Sequence, residues 1–159
     1  RIANLEGTDA RSLTREMLAA AEPSGVAVPD LVVTDLSFIS LTHILEVVAG
    51  LVGEGAQLLF MLKPQFEVGR ARLPKSGVVT EPEAWRYGLE KVVECARGVG
   101  LCLLALHPSP LPGQDGNIEF FLLCEKLPRG ARAATDECGM IEEALLEAEG
   151  RRRETPEGS

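Results

Sequence analysis

The chain has 159 residues, 45% apolar and 25% charged, which suits one soluble globular domain with a true core. Its 16 Lys and Arg against 24 Asp and Glu leave a net charge of −8, which argues against a free-standing nucleic-acid binder, since phosphate contacts need cations. No apolar run approaches the roughly 20 residues of a membrane span, and nothing reads as a signal peptide.

In chain order, residues 1–6 read as a short strand. There is no initiator methionine and "RIANLEG" looks like a strand already under way, so the expectation is a piece of a longer protein. Thr8 or Asp9 can cap a helix from about Ala10 to Ala21, with Leu13, Met17 and Leu18 on its apolar face. "EPSG" breaks the chain, and "DLVVTDLSF" supplies a strand centred on Leu31 to Val33. Ser40 can cap the next helix, where Ile44, Leu45, Val48, Leu51 and Val52 fall at helical spacing.

A strand over 57–63 follows, then a polar loop from Pro64 to about Val79. Thr80-Glu81-Pro82-Glu83 reads as a capping box with proline in the first turn. The helix it opens carries Trp85, Leu89, Val92, Val93 and Ala96 on one face. "LCLLALH" and "IEFFLLCE" are the last strands, joined by the turn-rich "PSPLPGQDGN". After Pro128 the composition shifts to Ala, Gly, Arg and Glu. A short helix over 140–149 is expected there, with the last ten residues disordered. Residues 1–128 thus read as a partial α/β domain and 129–159 as an acidic tail.

This alternation predicts a mostly parallel, doubly wound sheet. The last two strands are joined without a helix, so one of them is expected to run antiparallel. Cys95, Cys102, Cys124 and Cys138 are widely spaced, with no C-x-x-C and no adjacent histidine. The expectation is a reducing, cytoplasmic protein with neither disulfides nor a structural metal.

In "QLLFMLKPQFEVGR" an apolar strand ends abruptly in Lys63, and lysine is rarely buried without a partner. Ligands of open parallel sheets bind beyond the carboxyl ends of the strands. Asp35 and Lys63 come at strand ends, and Glu119 opens the final strand. If that strand is antiparallel, its beginning reaches the same rim and the three charges converge, with two carboxylates holding the lysine. From spacing alone, a structural ion-pair network at a sheet edge is the plainer interpretation.

The basic run Lys63, Arg70, Arg72 and Lys75 suits a solvated loop equally well. Ser37, Phe38 and Ser40 lie just beyond Asp35 and can line a ligand site, cap or pack. Phe66 can stack on a base or pack beside Gln65, and Asn117 can orient Glu119 or form the turn. His43 and His107 find no nucleophile–base pairing and read as structural.

"NLEGTDAR", "VVTDLSFISL", "MLKPQFEVGR", "KSGVVTEP" and "HPSPLPGQDGNIEFFL", in this order over about residues 1 to 126, make the chain similar to the haemolysin-A or TlyA family. These are S-adenosylmethionine-dependent ribosomal RNA 2′-O-methyltransferases related to the FtsJ-type (RrmJ) enzymes. The resemblance implies a Rossmann-like methyltransferase sheet that begins here at its third strand. It implies a Lys-Asp-Lys-Glu tetrad in which Asp35, Lys63 and Glu119 match the last three members. The first lysine, the cofactor glycine loop and the S4-type RNA-binding domain have no counterpart in this chain.

By the same resemblance Glu6, Asp9, Asp35, Ser37 and Phe38 are candidates to hold S-adenosylmethionine. Gln65, Phe66, Arg70 and Asn117 are candidates for the RNA substrate, with the ribosomal subunit as partner. Asp9 departs from the asparagine more usual near the adenine end. A ribose 2′-hydroxyl is a poor nucleophile and must lose its proton as it attacks the sulfonium methyl. Lys63 can take it only as a neutral amine, against a reference pKa of about 10.4. Burial and a second lysine lower that value, and Asp35 and Glu119 raise it.

Three other functions compete with this one: a catalytically inactive Rossmann-like interaction module, a base-nitrogen methyltransferase and a membrane-active protein. "TDLSF" is not the D/N-P-P-Y-like motif of the second, and the third lacks any spanning segment. With the preceding strands absent, "RIANLEG" is expected to be poorly or irregularly paired. The edge at 31–35 is then exposed and can drive self-association.

Overall fold

The computed structural model describes residues 2–21, 28–113 and 115–154. "EPSG", Gln114 and the last five residues therefore lie outside the described residues. Among the described residues the elements are α1 (Arg15–Ala21), β1 (Leu31–Thr34), α2 (Leu45–Leu51), β2 (Gln57–Leu62), α3 (Pro64–Glu67), α4 (Pro82–Gly98), β3 (Leu101–Pro108), β4 (Phe120–Lys126) and α5 (Glu137–Glu154). Short 3₁₀ turns at Ala10–Ser12 and Leu41–His43 complete the set.

The sheet runs β1-β2-β4-β3. β1 and β2 are parallel, while β4 is antiparallel to both β2 and β3. Three strands therefore point one way and β4, inserted between β2 and β3, points back, as the helix-free connection implied. Leu58, Phe60 and Leu62 of β2 alternate into the core at 0–1% exposure. The same core holds Leu122, Trp85 and Leu89, together with Ile44, Leu45 and Val48 from the segment capped by Ser40. Burying each such side chain stabilises by about 1.5–3 kcal/mol. The Trp85 ring meets Phe120 edge-on at 6.3 Å and donates its indole N–H to the Val79 carbonyl at 2.8 Å.

Four expectations are corrected. Residues 2–5 form no strand; β1 pairs only with β2 among the described residues, so they have no sheet neighbour. Leu31 and Val33 of β1 are 56% and 65% exposed, as expected of an uncovered edge. The helix over 10–21 splits at Leu13, which is extended, and restarts where Thr14 Oγ1 accepts the Met17 N–H at 3.2 Å. The capping box does not form: Glu81 is the N-cap without a side-chain bond, and Pro82 opens α4.

The fourth correction concerns the C-terminal segment. Its helix is 18 residues long rather than a short one over 140–149, and it includes 150–154. Ile141, Ala144, Leu145 and Ala148, at i, i+3, i+4 and i+7, are buried in the core against β3 and α4. Among the described residues no helix is long and apolar enough to cross a membrane.

Candidate active site

Lys63 follows the last residue of β2 and is the N-cap of α3, with Pro64 starting the helix. Asp35 follows β1, and Glu119 immediately precedes β4. Parallel β1 and β2 end on one rim, and antiparallel β4 begins there, so the sheet brings the three together. Lys63 Nζ lies 2.6 Å from Asp35 Oδ1 and 3.8 Å from Glu119 Oε1, and it donates to Ser37 Oγ at 3.3 Å. The Lys63 and Glu119 side chains are nearly enclosed, at 13% and 12% exposure, whereas Asp35 is open at 63%. Burial pushes the Glu119 carboxyl above its ordinary range; the Lys63 charge opposes that rise and Asp35 adds to it.

The turn before Glu119 is built around that carboxylate. A Cβ on Gly113 would stand 2.7 Å from Glu119 Oε1, so a larger residue there would push the carboxylate aside. Asn117 is buried, and both ends of its amide are engaged: Oδ1 accepts from Val79 N–H at 2.8 Å and Nδ2 donates to the Gly77 carbonyl at 3.1 Å. It ties the 77–79 segment to the Glu119 turn.

Beside the trio lies a cleft of about 310 Å³ lined by Asp9, Arg11, Leu36, Ser37, Phe38 and Ile39, among others. Asp9 accepts the Arg11 backbone N–H at 2.9 Å and pairs with its guanidinium at 2.5 Å. The Arg11 hydrogen bonds hold its carboxyl down to about 2. Glu6 is exposed, bonded to Asn4 Nδ2 at 3.0 Å, and is not among the residues lining that cleft.

Phe38 is 91% exposed and has φ of 64°, the sole non-glycine positive φ among the described residues. Such a conformation costs roughly 1–3 kcal/mol and concentrates at functional sites. Its ring leans on Phe66 with centroids 5.3 Å apart. Thr34 Oγ1 and Gln65 Oε1, flanking Asp35 and Lys63 in sequence, are buried without a hydrogen-bond partner among the described residues. Arg70 is exposed just beyond α3.

Sequence reasoning missed α3 and, with it, Glu67. This carboxylate is 1% exposed and accepts from Ser40 Oγ at 2.5 Å and Leu41 N–H at 2.7 Å, with Lys91 Nζ at 3.6 Å. It fastens the loop after Asp35 to the helix after Lys63. Gly88 on α4 makes room, since a Cβ there would meet Glu67 Cβ at 3.2 Å. Ser40 is thereby a structural residue, capping its turn and bonding Glu67.

Over residues 1–126 the chain matches the family model of FtsJ-like methyltransferases. It is 38% identical over 122 residues to the 16S/23S rRNA (cytidine-2′-O)-methyltransferase TlyA of Mycobacterium tuberculosis, covering 77% of this chain and 43% of that protein. It is 26% identical over 124 residues to hemolysin A of Brachyspira hyodysenteriae, covering 76% and 48%. A solved structure of a Streptococcus thermophilus protein named as a hemolysin superposes with a TM-score of 0.81 at 28% identity, over 92% of this chain and 50% of that one. The chain thus spans about half the length of these relatives. The family match takes in every strand of the sheet and all three charged groups on its rim, and the chain belongs to the FtsJ-like methyltransferase family.

Proposed function

We propose that this chain is the catalytic half of a ribosomal RNA 2′-O-methyltransferase that uses S-adenosylmethionine in the cytoplasm. The observation that carries this reading is the meeting of Lys63 with Asp35, Ser37 and Glu119 on the rim, beside a cleft. The rRNA cytidine-2′-O activity printed for the M. tuberculosis relative supplies the substrate class.

The cleft suits the adenine end of the cofactor: Leu36 and Ile39 offer an apolar wall, and Asp9 offers an acceptor that stays ionised. The cofactor, when bound, supplies an electrophilic methyl group. Lys63 takes the proton of the attacking 2′-hydroxyl, while Asp35 and Ser37 fix the direction of its nitrogen. Glu119 closes the far side, and Gly113 and Asn117 set its height. The exposed Phe38 ring, leaning on the half-buried Phe66, offers a stacking surface for the target base.

Methyl transfer by a Lys63→Ala variant of the protein at its relatives' full length tests the assignment. A fall of about 10²–10⁴-fold is expected for loss of a general base. Near-normal rates would remove Lys63 from the mechanism. Calorimetry on the same full-length protein should find S-adenosylmethionine binding. No binding and no transfer at full length would leave an inactive Rossmann-like interaction module.

A further inference from the structure

Part of the positive charge of this acidic chain lies around the start of α4. Arg97, in the last turn of α4, pairs with Glu137, the first residue of α5, at 2.8 Å. Near the other end of α5, Arg152 Nη1 donates to the Thr80 carbonyl at 2.7 Å, just before α4 begins. α5 therefore runs antiparallel to α4 and ends beside the start of α4. α4 leads down to β3, whose end shares the rim with Lys63, so the last turn of α5 stands at the rim too. Across the start of α4, Arg72 lies over the Tyr87 ring at 4.0 Å. Thr80 precedes α4, and Tyr87 lies in its second turn.

These cations are weakly compensated. Among the described residues Arg70 and Lys75 have no ion-pair partner, Arg152 bonds a carbonyl, and Arg153 is 82% exposed with Glu149 at 3.6 Å. Arginines in a last helical turn complement the helix dipole, which accounts for α5 but not for the cations opposite it. Glu81 and Glu83 at the start of α4 lie between the two groups, so the positive surface is two-sided rather than continuous.

We propose that Arg152 and Arg153 of α5, together with Arg70, Arg72 and Lys75, hold the phosphodiester backbone of the RNA whose ribose enters the Lys63 site. α5 lies beyond the matched residues 1–126, so family membership assigns it no such role. The proposal rests on the reading of RNA as substrate.

The test is fluorescence anisotropy of this chain with a labelled rRNA hairpin, without methyl donor, between roughly 50 and 200 mM salt. Arg152→Gln with Arg153→Gln should lower the slope of log affinity against log salt by about 2, one per phosphate contact. Glutamine is two bonds shorter than arginine and gives up the Thr80 contact, so a single variant separates charge from fold. Arg153→Gln alone, at an 82% exposed position, gives about half the effect without risk to the fold. Arg129→Gln with Arg132→Gln removes the same charge beyond the far end of β4 and should leave the slope unchanged.

Equal losses in both pairs, no loss in either, or no RNA binding by the parent chain would overturn the proposal. So would arginine-dependent binding to phosphatidylcholine–phosphatidylglycerol vesicles with RNA binding unaffected. Because no methyl is transferred, the outcome is independent of whether Lys63 is catalytic.

Discussion

Glu67→Ala should be the most damaging single truncation near the site that touches none of the proposed catalytic groups. The carboxylate is 1% exposed and serves two donors, Ser40 Oγ and Leu41 N–H, besides neighbouring Lys91. Removing one side of a buried charged pair costs about 3–5 kcal/mol, and each buried donor left without an acceptor contributes about 1–3 of that. Two features lower the figure: Lys91 is 35% exposed, and Ser40 Oγ keeps a 2.7 Å contact with Thr42 Oγ1. A loss of about 3 kcal/mol results. In urea, with a slope of about 2 kcal/mol per molar, the midpoint should fall by ~1.5 M. Glu67→Gln retains an acceptor for Leu41 and should lose roughly half as much. A midpoint shift under ~0.5 M for the alanine variant would refute the claim that this carboxylate fastens the two loops.

Glu119→Gln should make the chain more stable at pH 7 and no different at pH 4. The folded state raises this carboxyl above its model value of 4.5, so it binds more protons than the unfolded state in the window above that value. Wild-type stability then falls as pH rises through that window, and glutamine escapes the fall; a less stable variant at pH 7, by denaturation, contradicts this. Gly113→Ala should leave the chain folded but swing the Glu119 carboxylate away from Lys63, because both contacts use Oε1. An unchanged ¹³C titration of Glu119 would disprove that. Val33→Lys should abolish concentration-dependent association at the open β1 edge, read by sedimentation; a wild type monomeric at every concentration would show the edge to be inert.

The strands were legible because their apolar runs are short and continuous, and the rim trio because β3 and β4 are joined without a helix. Asp35, Lys63 and Glu119 could thus be brought together before any coordinates. Glu67 was invisible for a physical reason: it looks like one more acid in a polar loop, and its donors lie 26 and 27 positions earlier. Asn117 reads as a turn former, yet its partners are backbone groups 38 and 40 positions away. α5 did carry a signal, the 141, 144, 145, 148 spacing, but two of those four are alanines amid glutamates, so composition concealed the buried face.

β4 is the last strand in chain order among the described residues, yet it sits inside the sheet between β2 and β3. The parallel pair β1–β2 can form early in translation and bring Lys63 to Asp35, but the second acid arrives only when β4 slides between two waiting edges. Such late, long-range closure is slow and leaves the intermediate open to wrong pairings. A chain lacking β4 would hold its lysine beside one carboxylate alone.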